Sequence, residues 1–298
     1  RAVKQMSLHL EADAIYSKFA SSCTSAIMVS SEIQVPWVVS IGESVWDWEN
    51  CLIPSYGEAR LRRRLRQAHM IETVSHELGN YIHQKFQVKR RKISVIPNGV
   101  DVEMFKPRDK KEARKRTGLS PDKFIIACIG SDSPNKGCRR VLESIQLLSN
   151  RIRERIGVVL IGDTSSLADY DKVEYAAKTD PKDVPWYLAA SDIFVLPTTN
   201  EGMCNSILEA IAVGLPVVSS DKPFNREILS KDSGILIDPL DIGAISSAIR
   251  NLYDDDLLRS RLRHAAKKSA LKMTSTIKVE RIEKMLQETT KSKWQNKK

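Results

Sequence analysis

Residues 201–209 read Glu-Gly-Met-Cys-Asn-Ser-Ile-Leu-Glu, and the architecture can be built outward from them. They follow the short apolar run Ile193–Leu196 and lead into Ala210-Ile211-Ala212-Val213. The pattern predicts a strand, a loop from Glu201, and a helix over Asn205–Val213. That helix is apolar nearly all round and so has to be buried. Gly202 lets a ligand approach the backbone closely. Asn205 and Ser206 suit a helix start whose N–H groups point outward. Glu209 stands one turn beyond Asn205 on the same face. A lone carboxylate in a buried helix requires a partner. One placed here can accept both hydroxyls of a ribose, as the acidic residue does in dinucleotide folds. The alternative, an ordinary exposed helix residue, is opposed by the apolar neighbours.

Upstream, Gly130-Ser131-Asp132-Ser133-Pro134-Asn135-Lys136-Gly137 follows the buried strand Phe124–Ile129 and opens a helix expected over Lys136–Ile152. Lys136, Arg139 and Arg140 then crowd the helix start, which already carries about half a positive charge. A phosphate or diphosphate would resolve that conflict by accepting from backbone N–H groups and cationic side chains together. The competing reading turns all three side chains into solvent. The Gly-Lys-Ser/Thr ending of a Walker loop is absent.

The same strand–helix alternation extends in both directions. Before the junction, strands are expected over Asp13–Phe19, Trp37–Ile41, Met70–Ser75 and Ile93–Ile96. A Trp-rich loop and a basic helix (57–68) lie between the second and third. After the junction come strands at Val158–Ile161, Pro216–Ser219 and Gly234–Ile237. Helices follow at Val184–Ala190, Ile242–Tyr253, Asp256–Lys268 and Thr276–Glu288. Two such blocks indicate an α/β protein of two domains with parallel sheets. Ligands of such sheets sit beyond the carboxyl ends of the strands.

Composition narrows the classes. The 298 residues are 42% hydrophobic and 28% charged, a globular balance with room for two domains. No apolar run reaches the roughly 18–20 residues needed to span a bilayer. Cys23, Cys51, Cys128, Cys138 and Cys204 are odd in number and irregularly spaced, so a disulfide framework or zinc site is not expected. Free thiols in a reducing cytosol are expected instead. The net charge of +10 is bunched at Arg60–Arg66, Lys89–Lys92, Lys110–Arg116 and a tail from Lys291. Such runs are solvated faces or hold a protein on an anionic membrane. No nucleic-acid motif accompanies them, so a nucleic-acid partner is not expected.

Several chemistry-like motifs have a simpler reading. His76-Glu77-Leu78-Gly79-Asn80 begins like HExxH but lacks the second His, so it forms no zinc site. Asp254-Asp255-Asp256 lies between two helices, with Asp256 suited to an N-cap. Trp46-Asp47-Trp48 could stack on an acceptor sugar, with Asp47 or Glu43 taking the acceptor's proton; core packing of the tryptophans is the alternative.

The E-x7-E pair Glu201/Glu209, followed by Ala212-Val213-Gly214-Leu215-Pro216-Val217-Val218, resembles the donor domain of family-4 retaining glycosyltransferases (glycosyl transferases group 1) of the GT-B fold. Ile96-Pro97-Asn98-Gly99-Val100-Asp101 with Phe105 resembles their interdomain junction; Tyr187–Pro197 and Gly234-Ile235-Leu236-Ile237 also match. The resemblance runs from about Asp13 to about Arg263. It implies two Rossmann-like domains with parallel sheets facing a cleft, the amino-terminal one incomplete. It implies a partial acceptor-side domain over residues 1–98 and a donor domain over 99–274. Residues 275–298 are a helix expected to pack back on the first domain, plus a basic tail. The chain is expected to lack its N-terminal portion, including the strands and glycine-rich loop that face the donor phosphates.

The resemblance also assigns roles. Glu201 and Lys136 are the catalytic candidates, at the donor sugar and the diphosphate. Gly130, Ser131, Lys136, Arg139, Arg140, Gly202, Met203, Cys204, Asn205, Ser206 and Glu209 form the donor site. Glu43, Trp46 and Asp47 lie on the acceptor side. The implied reaction moves a sugar, with retention, from a UDP- or GDP-sugar to a glycan or lipid-linked hydroxyl acceptor, in cell-surface polysaccharide or glycolipid synthesis. It needs no cofactor and no divalent metal. The implied location is cytoplasmic, or peripheral on the inner membrane face. Two departures matter: Ser131 stands where the family has Arg, so Arg139 or Arg140 is expected to compensate; and Gly42-Glu43-Ser44 stands where the family carries an acceptor-side His. A non-catalytic nucleotide-sugar-binding homologue and a sugar-nucleotide epimerase are the alternatives.

Overall fold

The computed structural model describes residues 11–19 and 23–295. The expectations at the first ten residues, and the end of the basic tail, lie outside the described residues. The chain divides into two compact units. One comprises residues 1–98, 201–203 and 276–298; the other comprises 99–200 and 204–275.

The first unit holds a four-stranded parallel sheet in the order β1 (Ile15–Lys18), β2 (Trp37–Ile41), β3 (Met70–Thr73), β4 (Ile93–Val95). β2 is buried along its whole length, as a Val-rich central parallel strand should be. Helix Glu58–Gln67 buries Leu61 and Leu65 and exposes Arg60, Arg63 and Arg66. The last helix, Ser275–Gln295, seats Met285 against Val38 and Ile96, with Ile282 and Leu286 alongside. A charged anchor joins it to the sheet. Glu72 on β3 is fully buried and accepts from the Tyr16 hydroxyl, while Lys278 Nζ lies 3.8 Å from Glu72 and donates to Asn98 Oδ1 at 2.7 Å.

The second unit is a six-stranded parallel sheet. Its strands are β5 (Phe124–Ser131), β6 (Ile156–Asp163), β7 (Val173–Ala177), β8 (Ile193–Leu196), β9 (Val217–Ser220) and β10 (Ile235–Ile237), in the order β10-β9-β8-β5-β6-β7. The order reverses at β5, where β8 lies on one side and β6 on the other. Such a reversal leaves room for a ligand beyond the strand ends. Arg114 and Lys110 both reach Asp192 (2.8 and 2.6 Å), so helix Lys110–Thr117 is tied to the sheet.

Four expectations are corrected. β7 was not foreseen: all five of its residues are only half-buried, so no apolar run marks it. The helix expected over Lys136–Ile152 is two, Cys138–Gln146 and Asn150–Arg153, and it starts late because Gly137 takes φ +78°. The Trp-rich stretch is no loop: Val45–Asp47, Trp48–Leu52 and Ile53–Tyr56 are consecutive helical turns. The N-cap of helix Asp256–Ala270 is Asp255, not Asp256; its carboxylate accepts from the Leu258 N–H at 2.8 Å.

Candidate donor site

Within the second unit the candidate site is built from two loops, one after β5 and one after β8. The first begins where Gly130 and Ser131 end β5 in register with Gly162 and Asp163 of β6. A Cβ on Gly130 would come within 3.0 Å of Lys136 Cβ, so glycine here makes the space in which the Lys136 stem lies. The Lys136 and Gly137 N–H groups donate to the Ser133 carbonyl (3.1 and 3.4 Å), closing a turn before the helix. Lys136 therefore stands in the loop, just ahead of the N-cap Gly137, and not in the first helical turn as expected. Gly137 is obligatory twice over. Its φ of +78° is costly for other residues, and a Cβ would lie 2.6 Å from the Pro197 carbonyl.

That close approach fastens the two loops together. The Thr199 N–H donates to the Asn135 carbonyl at 2.8 Å, and the Thr199 hydroxyl and Asn200 amide both reach Asn135 Oδ1. Asn135 and Thr199 were not singled out from sequence. Their pairing spans 64 residues and leaves no local signal beyond two polar residues at strand-end loops.

The three cations of the first loop diverge. Arg139 donates to Asp132 Oδ2 at 2.6 Å and to the Tyr170 hydroxyl, over whose ring its guanidinium lies. Asp132, held below the usual carboxylate range by hydrogen bonds from Ser166 and Arg139, completes that exposed cluster. Arg140 donates to three carbonyls, those of Pro239 (2.8 Å), Pro134 (2.6 Å) and Pro197 (2.7 Å). Both guanidiniums thus have intramolecular partners, and Arg140 clamps the loop on two sides. The charge crowding inferred from sequence is relieved within the protein for these two residues.

The second loop leads into helix Asn205–Val213. The helix begins at Asn205, as read from sequence; its N-cap is Cys204, and no side chain caps it. The Cys204 thiol instead meets the Ser206 hydroxyl at 3.3 Å. No acidic residue lies in the first turn, so the positive end of the helix meets no carboxylate of its own first turn, a setting that suits an anion. One turn on, Glu209 is half-buried. No described side chain or backbone group hydrogen bonds or ion-pairs with it, and burial alone pushes its carboxyl up to about 7. Such a group is out of balance unless something supplies donors to it.

The remaining candidates belong to the first unit. Glu201 is half-buried; Gly202 and Met203 are buried. A Cβ on Gly202 would fall 2.1 Å from the Gly42 carbonyl, so this position also admits only glycine. The Met203 sulfur accepts from the Asn98 N–H at 3.0 Å. Glu43 Oε2 accepts from the Gly42 N–H at 3.1 Å. Trp46 is exposed, whereas Trp48 is fully buried against Tyr81 and Phe86. Asp47 closes a capping box with Ser44, accepting from its N–H at 2.8 Å and its hydroxyl at 2.7 Å. Its carboxylate holds a helix start, so a role as proton acceptor would compete with that function. His83 Nδ1 lies 2.7 Å from the Val88 carbonyl, a local structural contact. Among the described residues no three His, Cys, Asp or Glu side chains gather in a metal-binding group, and no helix is long and apolar enough to cross a membrane.

Known proteins resemble this chain in sequence and in fold. Residues 109–269 match the family model for glycosyl transferases group 1, and residues 2–104 match that for Glycosyltransferase Family 4. The UDP-Gal:alpha-D-GlcNAc-diphosphoundecaprenol alpha-1,3-galactosyltransferase of Escherichia coli is 32% identical over 59% of this chain and 49% of its own length. The capsular polysaccharide biosynthesis glycosyltransferase CapM of Staphylococcus aureus is 26% identical over 72% of this chain and 60% of its own. The chain thus spans about half to three fifths of the length of these curated relatives. Among solved structures, Anabaena Alr3699/HepE in complex with UDP superposes with a TM-score of 0.83 at 18% identity, covering 96% of this chain and 81% of that one. The same protein has also been solved with UDP-glucose. The fold is therefore GT-B, and the chain belongs to the group 1 glycosyltransferases, family 4.

Proposed function

We propose that this chain transfers a sugar from a nucleoside-diphosphate sugar to a hydroxyl acceptor, with retention of anomeric configuration, in the synthesis of a cell-surface polysaccharide or glycolipid. The observation that carries the reading is Glu209: a half-buried carboxylate without a hydrogen-bond or ion-pair partner among the described residues, one turn inside a helix start that no side chain caps. The two hydroxyls of a ribose supply the donors it lacks, and the diphosphate lies toward the helix N-terminus and Lys136. As the glycosidic bond breaks, negative charge gathers on the leaving diphosphate. Lys136 and the N–H groups of Asn205 and Ser206 stabilise it. Glu201 orients the donor sugar, and backbone groups of Gly202–Ser206 cover it. Leaving-group stabilisation and positioning can carry much of the barrier without a protein nucleophile. A divalent metal is not required by this arrangement, because cationic and N–H groups do the neutralising.

The donor is a UDP- or GDP-sugar; HepE binds UDP and UDP-glucose. The acceptor is a glycan or lipid-linked hydroxyl, the E. coli relative being named for a diphosphoundecaprenol substrate. Exposed Arg60, Arg63 and Arg66 of helix Glu58–Gln67 hold the chain peripherally on an anionic membrane face. Vesicle sedimentation should show binding to anionic but not neutral bilayers, weakening as salt is raised; salt-insensitive binding excludes this part.

Titration with UDP and GDP tests the central claim. Glu209→Ala should weaken the preferred nucleotide by about 10- to 100-fold, as expected for losing charge-assisted hydrogen bonds in a half-buried site. Unchanged affinity in the variant removes the ribose assignment, and no binding of either nucleotide to the parent chain removes the reading altogether.

A further inference from the structure

Two buried thiols bracket the loop that carries Lys136. Cys128 stands on β5, two residues before Gly130, and Cys138 is the first residue of helix Cys138–Gln146. Both side chains are fully buried, and their sulfurs lie 3.2 Å apart. Between them in sequence runs the whole of Gly130–Gly137. Among the described residues neither Cys51 nor Cys204 forms a disulfide, and both members of this pair are reduced.

We propose that Cys128 and Cys138 form a reversible disulfide that controls anion binding by the Gly130–Gly137 loop. Forming the bond needs the sulfurs to close from 3.2 Å to about 2.05 Å, a movement of roughly 1 Å. The loop has little slack to absorb it. The space at Gly137 beside the Pro197 carbonyl admits no further atom, and a Cβ on Gly130 would already come within 3.0 Å of Lys136 Cβ and 3.3 Å of Cys138 Sγ. Drawing the helix start toward β5 therefore displaces Lys136 and its neighbouring N–H groups.

The chemistry is asymmetric in a useful way. The contact from Cys128 holds the Cys138 thiol below its ordinary value, and the positive charge of Lys136 acts in the same direction. That contact and burial push Cys128 up. Cys138, the first residue of its helix, where the positive helix end favours a thiolate, is assigned as the attacking thiol and Cys128, on β5, as the resolving thiol. With hydrogen peroxide as oxidant, the Cys138 sulfur attacks one peroxide oxygen. The O–O bond breaks, hydroxide leaves and is protonated to water, and Cys138 becomes a sulfenic acid. Cys128 then loses its proton and attacks the Cys138 sulfur; the S–O bond breaks and a second water departs. The two thiols give up two electrons, and peroxide becomes two waters. A dithiol such as dithiothreitol reverses the change by exchange.

The control of anion binding rests on the phosphate-binding role proposed above for Lys136; the disulfide does not. Native full-length chain is treated with hydrogen peroxide, alkylated and digested. Peptide mass analysis should show a crosslinked pair joining Cys128 to Cys138, with Cys51 alkylated. UDP affinity, measured alongside by calorimetry, should fall by about ten-fold or more on oxidation, the loss expected for one displaced charge-assisted contact, and recover with dithiothreitol. Cys138→Ala should bind UDP as the reduced parent does and lose the response; Cys128→Ser is the second variant should the first fail to fold. A crosslink to Cys204, or Cys128 and Cys138 thiols still alkylated when urea is added after the peroxide treatment, overturns the pair. A Cys128–Cys138 bond with unchanged UDP affinity overturns the control. Failure of the reduced parent to bind UDP or GDP counts against the nucleotide reading alone, because the crosslink is read by mass.

Discussion

Two glutamates in this chain are buried and treated in opposite ways. Glu72, on β3 of the first unit, is fully buried and meets the Tyr16 hydroxyl and the Lys278 ammonium. Glu209, on helix Asn205–Val213 of the second unit, is half-buried and has no hydrogen-bond or ion-pair partner among the described residues. Each partner of Glu72 shows the cost of its setting. Burial and the carboxylate raise Tyr16 above the ordinary phenol range, and desolvation lowers Lys278. The first carboxylate has a phenol donor and an ammonium within ion-pair range, although its Oε1 makes no hydrogen bond; the second has no such partner among the described residues, and in the proposed function a ligand supplies it. Burial of a charge alone does not mark a functional residue, whereas burial without a partner does.

The largest effect should come from breaking the balanced site. Glu72→Ala takes the carboxylate acceptor from Tyr16 and the buried counter-charge from Lys278 and should destabilise the chain by about 3–5 kcal/mol, read by chemical denaturation. A loss below about 1 kcal/mol would mean that Glu72 is not the anchor of the C-terminal helix.

The unbalanced site should show itself in pH dependence. The folded pKa of Glu209, about 7, is raised above the ordinary 4.5. The ligand-free folded chain thus holds a proton that the unfolded chain has released. Its stability should fall as pH climbs from about 4.5 to about 7 and then level off. Nucleotide binding should show the reverse trend, because ribose hydroxyls favour the charged carboxylate: affinity rises through the same window. Glu209→Gln should flatten both profiles. Equal slopes in parent and variant would transfer the titration to another group.

The smallest effects separate the two arginines. Arg140→Ala strands three carbonyls around the loop and should cost about 1–3 kcal/mol of stability. Arg139→Ala removes an exposed pair and should leave stability unchanged and UDP affinity within about two-fold. A large affinity loss at Arg139 with stability intact would restore the idea that it stands in for the arginine replaced by Ser131.

Much of the architecture was legible before any coordinates. The strand at Ile193–Leu196 and the helices Val184–Ala190 and Asn205–Val213 have the bounds read from sequence, because each combines a strongly apolar segment with a clear stop. β7 was not, since an edge strand of half-buried residues carries no such run. At the site, the residue types and their spacing named Gly130, Lys136 and Glu209, because glycine, a loop cation and a carboxylate in an apolar helix are unusual in their local settings. What those neighbours do to each other was not legible. Arg139 and Arg140 carry the same charge one residue apart, yet one turns to Asp132 and Tyr170 and the other to three carbonyls. Cys128 and Cys138 read as unrelated thiols until β5 and the following helix brought their sulfurs to 3.2 Å. Local pattern reports what a residue can do; which partners reach it depends on contacts between distant segments, and those exist only once the sheet has assembled.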